Sequence, residues 1–153
     1  MGEYSPDFNG ESFISNHNHL RIQLQGYQEG YGLARRILHP FQVKRRQKEL
    51  NNAIGILCQH YQTQLVQFYD RPIEMNIIFF VSPEENNKSV DNLSQFIFDT
   101  LLQPIHINGK KYKIYNKKKQ IQLSHSEIKV SHDGGRPFTT VNIFPVVLEI
   151  DIN

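Results

Sequence analysis

The residues best placed to do chemistry lie between Ser89 and Asp99. There Ser89-Val90-Asp91-Asn92-Leu93 follows the apolar run ending Ile77–Val81 and a polar stretch holding Pro83. A carboxylate just past a central strand, at the start of a helix, is well placed to hold a divalent cation against a phosphate. Asn92 can orient that carboxylate or touch substrate, and Asp99 follows eight positions after Asp91. The same residues also have a purely structural reading. Asp91 then complements the helix N-terminus, and Asp99 is an exposed helical residue. The other reactive types form no constellation. Of seven histidines, only His17 and His19 are close, and no third ligand accompanies them for zinc. His60 falls on or near a buried helical stripe. Cys58 has no histidine partner of the kind that activates a nucleophile, so it reads as a core or semi-buried thiol. Gly26, Gly30 and Gly32 lack the strand–turn–helix spacing of a dinucleotide fingerprint and fit a mobile loop instead.

Cations carry the second signal. The formal net charge is only +2, from 17 basic and 15 acidic residues. Their distribution is uneven. Seven basic residues lie between Arg21 and Lys48 (Arg21, Arg35, Arg36, Lys44, Arg45, Arg46, Lys48) against the single acid Glu29. Six lysines lie between Lys110 and Lys119 with no acid. Clustered cations are the usual footprint of phosphate-backbone binding, because each neutralised phosphate releases condensed counterions. A solvated lysine-rich hairpin and an exposed helix face give the same pattern. Tyr27 and Tyr31 in the first cluster, and Tyr112 and Tyr115 in the second, add aromatic rings on which exposed bases stack.

The elements that must position these groups follow from periodicity. His19 to Gln25 alternates Leu20, Ile22 and Leu24 against polar residues, which predicts a half-buried strand. Val43, Leu50, Ala53, Ile54, Leu57, Tyr61 and Leu65 recur at helical spacing, with Gly55 a weak point. Ile73–Val81 ends apolar on both faces, as a central strand does. Val90 to Leu102 predicts a second helix on the stripe Leu93, Phe96, Ile97 and Leu101, started by Ser89 or Asp91. Asn108-Gly109 turns into a strand from Lys111 to Tyr115, and Gln120 to Val130 forms another. Asp133-Gly134-Gly135 predicts a hairpin returning as Phe138 to Phe144. Val146 to Ile152 fits an edge strand. Residues 1–17 have no periodicity and read as a flexible arm, leaving 18–153 as one domain. The class is α/β (α+β): a mixed sheet with two main helices and a mostly antiparallel second half. No apolar run approaches the length of a membrane span. Met1 to Gly10 is polar and holds Glu3 and Asp7, which is wrong for a secretory signal. The expectation is a soluble, intracellular (cytoplasmic) protein with no membrane partner.

The sequence Asp91-Asn92-Leu93-x-x-x-x-Phe98-Asp99-x-Leu101, together with the order of elements around it, resembles the core motif of the RusA-like Holliday junction resolvases. The likeness in order covers about residues 18 to 150. It implies a small homodimer that binds branched DNA and cuts it with Mg²⁺ held by aspartates. The family motif reads Asp-x-Asp-Asn-x-x-Lys, followed later by a pair of aspartates. Here Asp91 and Asn92 match it. Ser89 stands where the first aspartate belongs, and Gln95 where the lysine belongs. Lys117-Lys118-Lys119 occupies the place of the later pair. One carboxylate gives too little charge for Mg²⁺, and three lysines attract phosphate rather than metal. Glu84, Glu85, Asp99, Asp133 and His132 are possible substitute ligands without the family spacing.

The resemblance therefore implies a reader of branched or single-stranded DNA whose nuclease activity is lost or weakened. Asp91 and Asn92 are its candidate catalytic residues, and Asp91 is the metal ligand if Mg²⁺ is used at all. Its DNA-binding candidates are Arg35, Arg36, Lys44, Arg45, Lys48, Lys117, Lys118 and Lys119. Two alternatives stay open: an active Mg²⁺-dependent endonuclease for branched DNA, and a phosphate-, nucleotide- or protein-binding module on the same fold.

Overall fold

Alternating burial builds the centre of the molecule. In the structure, a computed structural model that describes residues 11–26, 39–85, 89–131 and 136–147, the elements follow in order. They are β1 (Ser12–Asn16), β2 (His19–Gln25), α1 (Pro40–His60), β3 (Ile73–Val81), α2 (Val90–Leu101), β4 (Ile105–Ile107), β5 (Lys110–Tyr112), β6 (Ile121–Val130) and β7 (Phe138–Pro145). Single 3₁₀ turns at Pro83–Glu85 and Lys118–Gln120 precede α2 and β6. The mixed α+β architecture is the one expected. Five strands form one sheet in the order β1-β2-β7-β3-β6, and β4 and β5 form a separate hairpin. β6 runs parallel to β3, whereas β7 is antiparallel to both β2 and β3. It follows that β2, β3 and β6 all point the same way, and that α1 and α2 are the return crossovers between them.

One sheet face is the core. Leu20, Ile22 and Leu24 of β2 and Ile73, Met75, Ile77, Phe79 and Val81 of β3 are buried together with Leu50, Ala53, Ile54 and Leu57 of α1 and Leu93, Phe96, Ile97 and Leu101 of α2. These are the apolar stripes that the periodicity marked, except that α1 ends at His60, so Tyr61, which is exposed, and Leu65 lie beyond it. The other face is half-buried: Phe80 stacks on Phe138 with centroids 4.2 Å apart, and His19 on Phe144 at 4.6 Å.

Local signals fix the helix ends. His39 caps α1, its Nδ1 accepting from the Phe41 N–H while the Gln42 side chain accepts from the His39 N–H, and Pro40 takes the first turn. Ser89 caps α2 by accepting from the Asn92 N–H at 3.3 Å, so the cap is Ser89 and Asp91 is a first-turn residue. At the far end of α1, Thr63 N–H donates to the Cys58 carbonyl at 3.2 Å, closing a Schellman turn. Gln62 stands at its left-handed position, with φ 51°. Gly55 lets the hairpin dock: a Cβ there would lie 2.9 Å from the His106 carbonyl oxygen. Asn108 and Gly109 both have positive φ, as a two-residue hairpin turn requires.

Three expectations are corrected. Ser12–Asn16, assigned to a flexible arm, is a strand paired along its whole length with β2. Its signal was faint because Phe13 is its single fully buried residue. The residues after β6 do not return as its hairpin partner. β7 lies on the far side of β3, between β3 and β2, and β6 is an edge strand in parallel pairing, not part of an antiparallel second half. The strand expected over Lys111 to Tyr115 ends at Tyr112, beyond which Ile114 and Tyr115 turn into the core, and β4 precedes it unforeseen. Residues 1–10, the Asp133-Gly134-Gly135 turn and most of the 146–152 segment lie outside the described residues. Among the described residues, no helix is long and apolar enough to cross a membrane.

Candidate nucleic-acid interface

The first basic segment faces the β4–β5 hairpin across a groove, where Lys44 and Lys48 of α1 lie with His106 of β4. Ile105 and Ile107 turn inward, which leaves His106 exposed, and register pairs His106 with Lys111. Opposite them, α1 presents Lys44 and Lys48, one turn apart and both exposed. A groove of about 370 Å³ runs between, lined by Lys44, Lys48, Asn51, Asn52 and His106 among others, and among the described residues no acidic side chain lines it. Asn51 is held in place by its Nδ2, which donates to the Thr100 carbonyl at 3.0 Å; its buried Oδ1 has no partner among the described residues. Arg45 belongs to a different face of α1, where its Nε pairs with Glu49 at 3.4 Å on exposed ground. Arg35 and Arg36, with Tyr27 and Tyr31, lie outside the described residues.

Lys117, Lys118 and Lys119 form a second exposed basic spot, built by one buried amide. Gln120 Oε1 accepts the N–H groups of Asn116 and Lys117 at 2.8 and 2.7 Å, and its Nε2 donates to the carbonyls of Tyr69 and Arg71 at 2.7 and 2.9 Å. All four of its hydrogen-bonding positions are thus used. Lys118 Nζ contacts Asp99 Oδ1 at 2.7 Å. Below this pair, the Tyr115 hydroxyl donates to the Phe98 carbonyl. Burial, and then the Asp99 carboxylate, raise the Tyr115 pKa above its ordinary value.

Asp91 stands apart from both. It is exposed in the first turn of α2, and no hydrogen bond or ion pair among the described residues engages its carboxylate. Asn92 beside it is half-buried, with its backbone N–H spent on the cap. The eight residues from Asp91 to Asp99 span about 12 Å of helix. Register separates Asp91 further from the lysine turn. Ile73 pairs with Ile121 and Val81 with Val130, so Lys117–Lys119 sit at the start of β3 and Asp91 follows its end. Eight steps of strand make β3 itself about 26 Å long, and α2 runs back along it to bring Asp99, not Asp91, to Lys118. The alignment that put Lys117–Lys119 beside Asp91 in one pocket is therefore corrected. The structure pairs them with Asp99 instead.

Mg²⁺ needs several converging oxygen ligands in near-octahedral geometry. Among the described residues, no three His, Cys, Asp or Glu side chains converge on a metal position. Asp99 is engaged by Lys118, and Glu84 is an exposed residue of the 3₁₀ turn. Asp133 and His132 lie outside the described residues. Among the described residues, the donor set does not fit a Mg²⁺ site at Asp91. The other reactive candidates have structural roles. Cys58 is buried, donates to the Thr63 carbonyl, and has its pKa raised by burial, which leaves an inert thiol. His19 Nε2 lies 3.1 Å from Asn142 Oδ1 across the sheet.

Sequence reasoning missed two things here. His106 joins the basic groove, and its only sequence signal was the Ile-His-Ile alternation before Asn108-Gly109. A second groove, of about 620 Å³, opens beyond the hairpin near Gln59, Gln62, Asn108 and Tyr112. No family model matches the chain, and no curated protein is significantly similar to it.

Proposed function

We propose that this chain is a RusA-like DNA-binding protein that holds branched DNA through the groove between α1 and the β4–β5 hairpin, with its metal-dependent cutting activity lost or much weakened. One observation carries the reading: Lys44 and Lys48 of α1 and His106 of β4 line one groove that has no acidic lining among the described residues, and Lys111 is the strand partner of His106. Such a surface matches a phosphate backbone, where affinity comes from counterion release and needs no metal. The lone, solvent-facing Asp91 supports loss of cutting. A homodimer inside the cell, as the resemblance implies, completes the proposal, since two such grooves can hold two arms of a junction.

The test is a paired assay on a four-way DNA junction and a matched linear duplex. Binding is followed in EDTA, and cleavage in Mg²⁺ or Mn²⁺. The expected result is salt-dependent binding in EDTA, tighter for the junction, without cleavage. Cleavage abolished by Asp91→Ala would make the protein a nuclease with ligands from elsewhere. Absence of binding to either DNA at low salt would overturn the proposal and point to a small phosphate ligand.

A further inference from the structure

The groove beyond the hairpin differs in chemistry from the basic one. Its walls come from the end of α1, the segment after it, and the hairpin turn, and among the described residues no charged side chain lines it. Its volume, about 620 Å³, falls within the range of small-molecule sites. Amides dominate the lining. Gln59 Nε2 donates to Asn108 Oδ1 at 3.0 Å, which locks the two side chains together. That bond leaves Gln59 Oε1 as a spare acceptor and Asn108 Nδ2 as a spare donor. Leu65, Ile107 and the Tyr112 ring supply apolar and aromatic walls. Gln62 lines the groove from a left-handed backbone position, φ 51°, that a Schellman turn ordinarily gives to glycine. A side chain kept at such a position is an outlier that calls for a use.

We propose that this groove receives a single unstacked nucleobase, which lies against Tyr112 and is read on its edge by the Gln59–Asn108 amide pair and Gln62. The argument is one of matching chemistry. A base is neutral, planar and fringed with both donors and acceptors, and Gln or Asn amides are its common edge partners. Among the described lining residues a phosphate or a cation finds nothing to neutralise it. The basic groove supplies the rest of the strand. Asn52 lines the basic groove and Gln59 the amide groove, seven residues or about 10 Å apart along α1. A few nucleotides of backbone bridge that distance. The inference rests on the DNA reading above and narrows it to DNA with an unpaired or easily flipped base.

The experiment compares two duplexes with the full chain: one carrying a single bulged 2-aminopurine, and one carrying an abasic residue at the same place. Fluorescence of the 2-aminopurine reports its environment. The base-bearing duplex should bind about tenfold tighter, as expected for one stacked base. Gln59→Ala and Gln62→Gly, both at exposed positions, should each shrink that preference while leaving the salt dependence unchanged. Equal affinity for the two duplexes, with salt-dependent binding intact, overturns the base pocket and leaves the DNA reading standing. If neither duplex binds at low salt but adenosine alone shifts the Gln59, Gln62 and Asn108 side-chain NMR signals, the pocket stands and the DNA reading falls. If neither duplex nor adenosine gives a response, both fall.

Discussion

Replacing Lys44 and Lys48 together by alanine is the sharpest probe of the basic groove. The two ammonium groups stand on one face of α1, four residues or about 6 Å apart along its axis. Phosphates of one DNA strand recur every ~3.4 Å of helix axis, so the two lysines neutralise different phosphates. Each contact on duplex DNA contributes about 0.9 to the slope of log affinity against log salt. Removing both should make that slope shallower by about 1.8. Between about 1 M and about 0.1 M salt the difference amounts to about 60-fold in affinity. Stability should move by less than about 0.5 kcal/mol, because both side chains are exposed and neither makes a described ion pair. Fluorescence anisotropy across a salt series, with urea unfolding alongside, measures both quantities. Arg45→Ala is the internal control. Its guanidinium pairs with Glu49 and does not line the groove, so its effect on the slope should be clearly smaller than that of either lysine. An unchanged slope in the double variant, or an Arg45 effect as large as theirs, refutes the placement of DNA in this groove.

Four further outcomes follow from the packing. Gln120→Leu strands two backbone N–H groups and two carbonyls, and should lower unfolding stability by about 3 kcal/mol in a urea titration. Gly55→Ala should destabilise by about 1–3 kcal/mol although alanine is the better helix former, because the new Cβ meets the rigid His106 carbonyl; a rise in Tm would show that the hairpin yields. Tyr115 keeps its proton in the folded chain to higher pH than in the unfolded one. Stability from this group is therefore whole below about pH 10 and falls above it by about 1.4 kcal/mol per pH unit, a slope that Tyr115→Phe should remove in alkaline urea titrations. Asp91→Ala should lower stability by only about 0.5 kcal/mol, the value of a carboxylate in the first helical turn, and millimolar Mg²⁺ should shift the Tm of both forms equally.

What could be read from the sequence divides along a physical line. β2, β3 and the two helices were legible because each buries a full stripe, and Leu, Ile and Phe recurring at period 2 or 3.6 mark a face turned to the core. β1 and β4 were not, because an edge strand with one buried phenylalanine and a strand of three residues carry almost no periodicity. The pairing of β7 was misread for a different reason. Asp133-Gly134-Gly135 is a local turn signal, whereas the partner of a strand is set by how much it must bury. β7 encloses Thr139, Thr140, Val141 and Ile143 and takes a central place, while β6 stays half-exposed with Leu123 turned to solvent and so accepts the edge. Gly55 was legible as a residue and not as a function: a weak point in the helix is the seat of the hairpin.

The same distinction governs the candidate site. The cation clusters were plain in the sequence, but which cations share a surface depends on register. Parallel pairing of β3 with β6 carries Lys117–Lys119 to the opposite end of the sheet from Asp91. Docking of a hairpin on a glycine brings His106 to the groove of Lys44 and Lys48. A motif of aspartate and asparagine at a helix start specifies a position and not an activity, since a metal site needs partners that only the third dimension can supply. In this chain, among the described residues, the fold gives Asp91 no such partners and assembles the cations elsewhere. A phosphate ligand is therefore matched by the groove beside the hairpin and not by the motif at the start of α2.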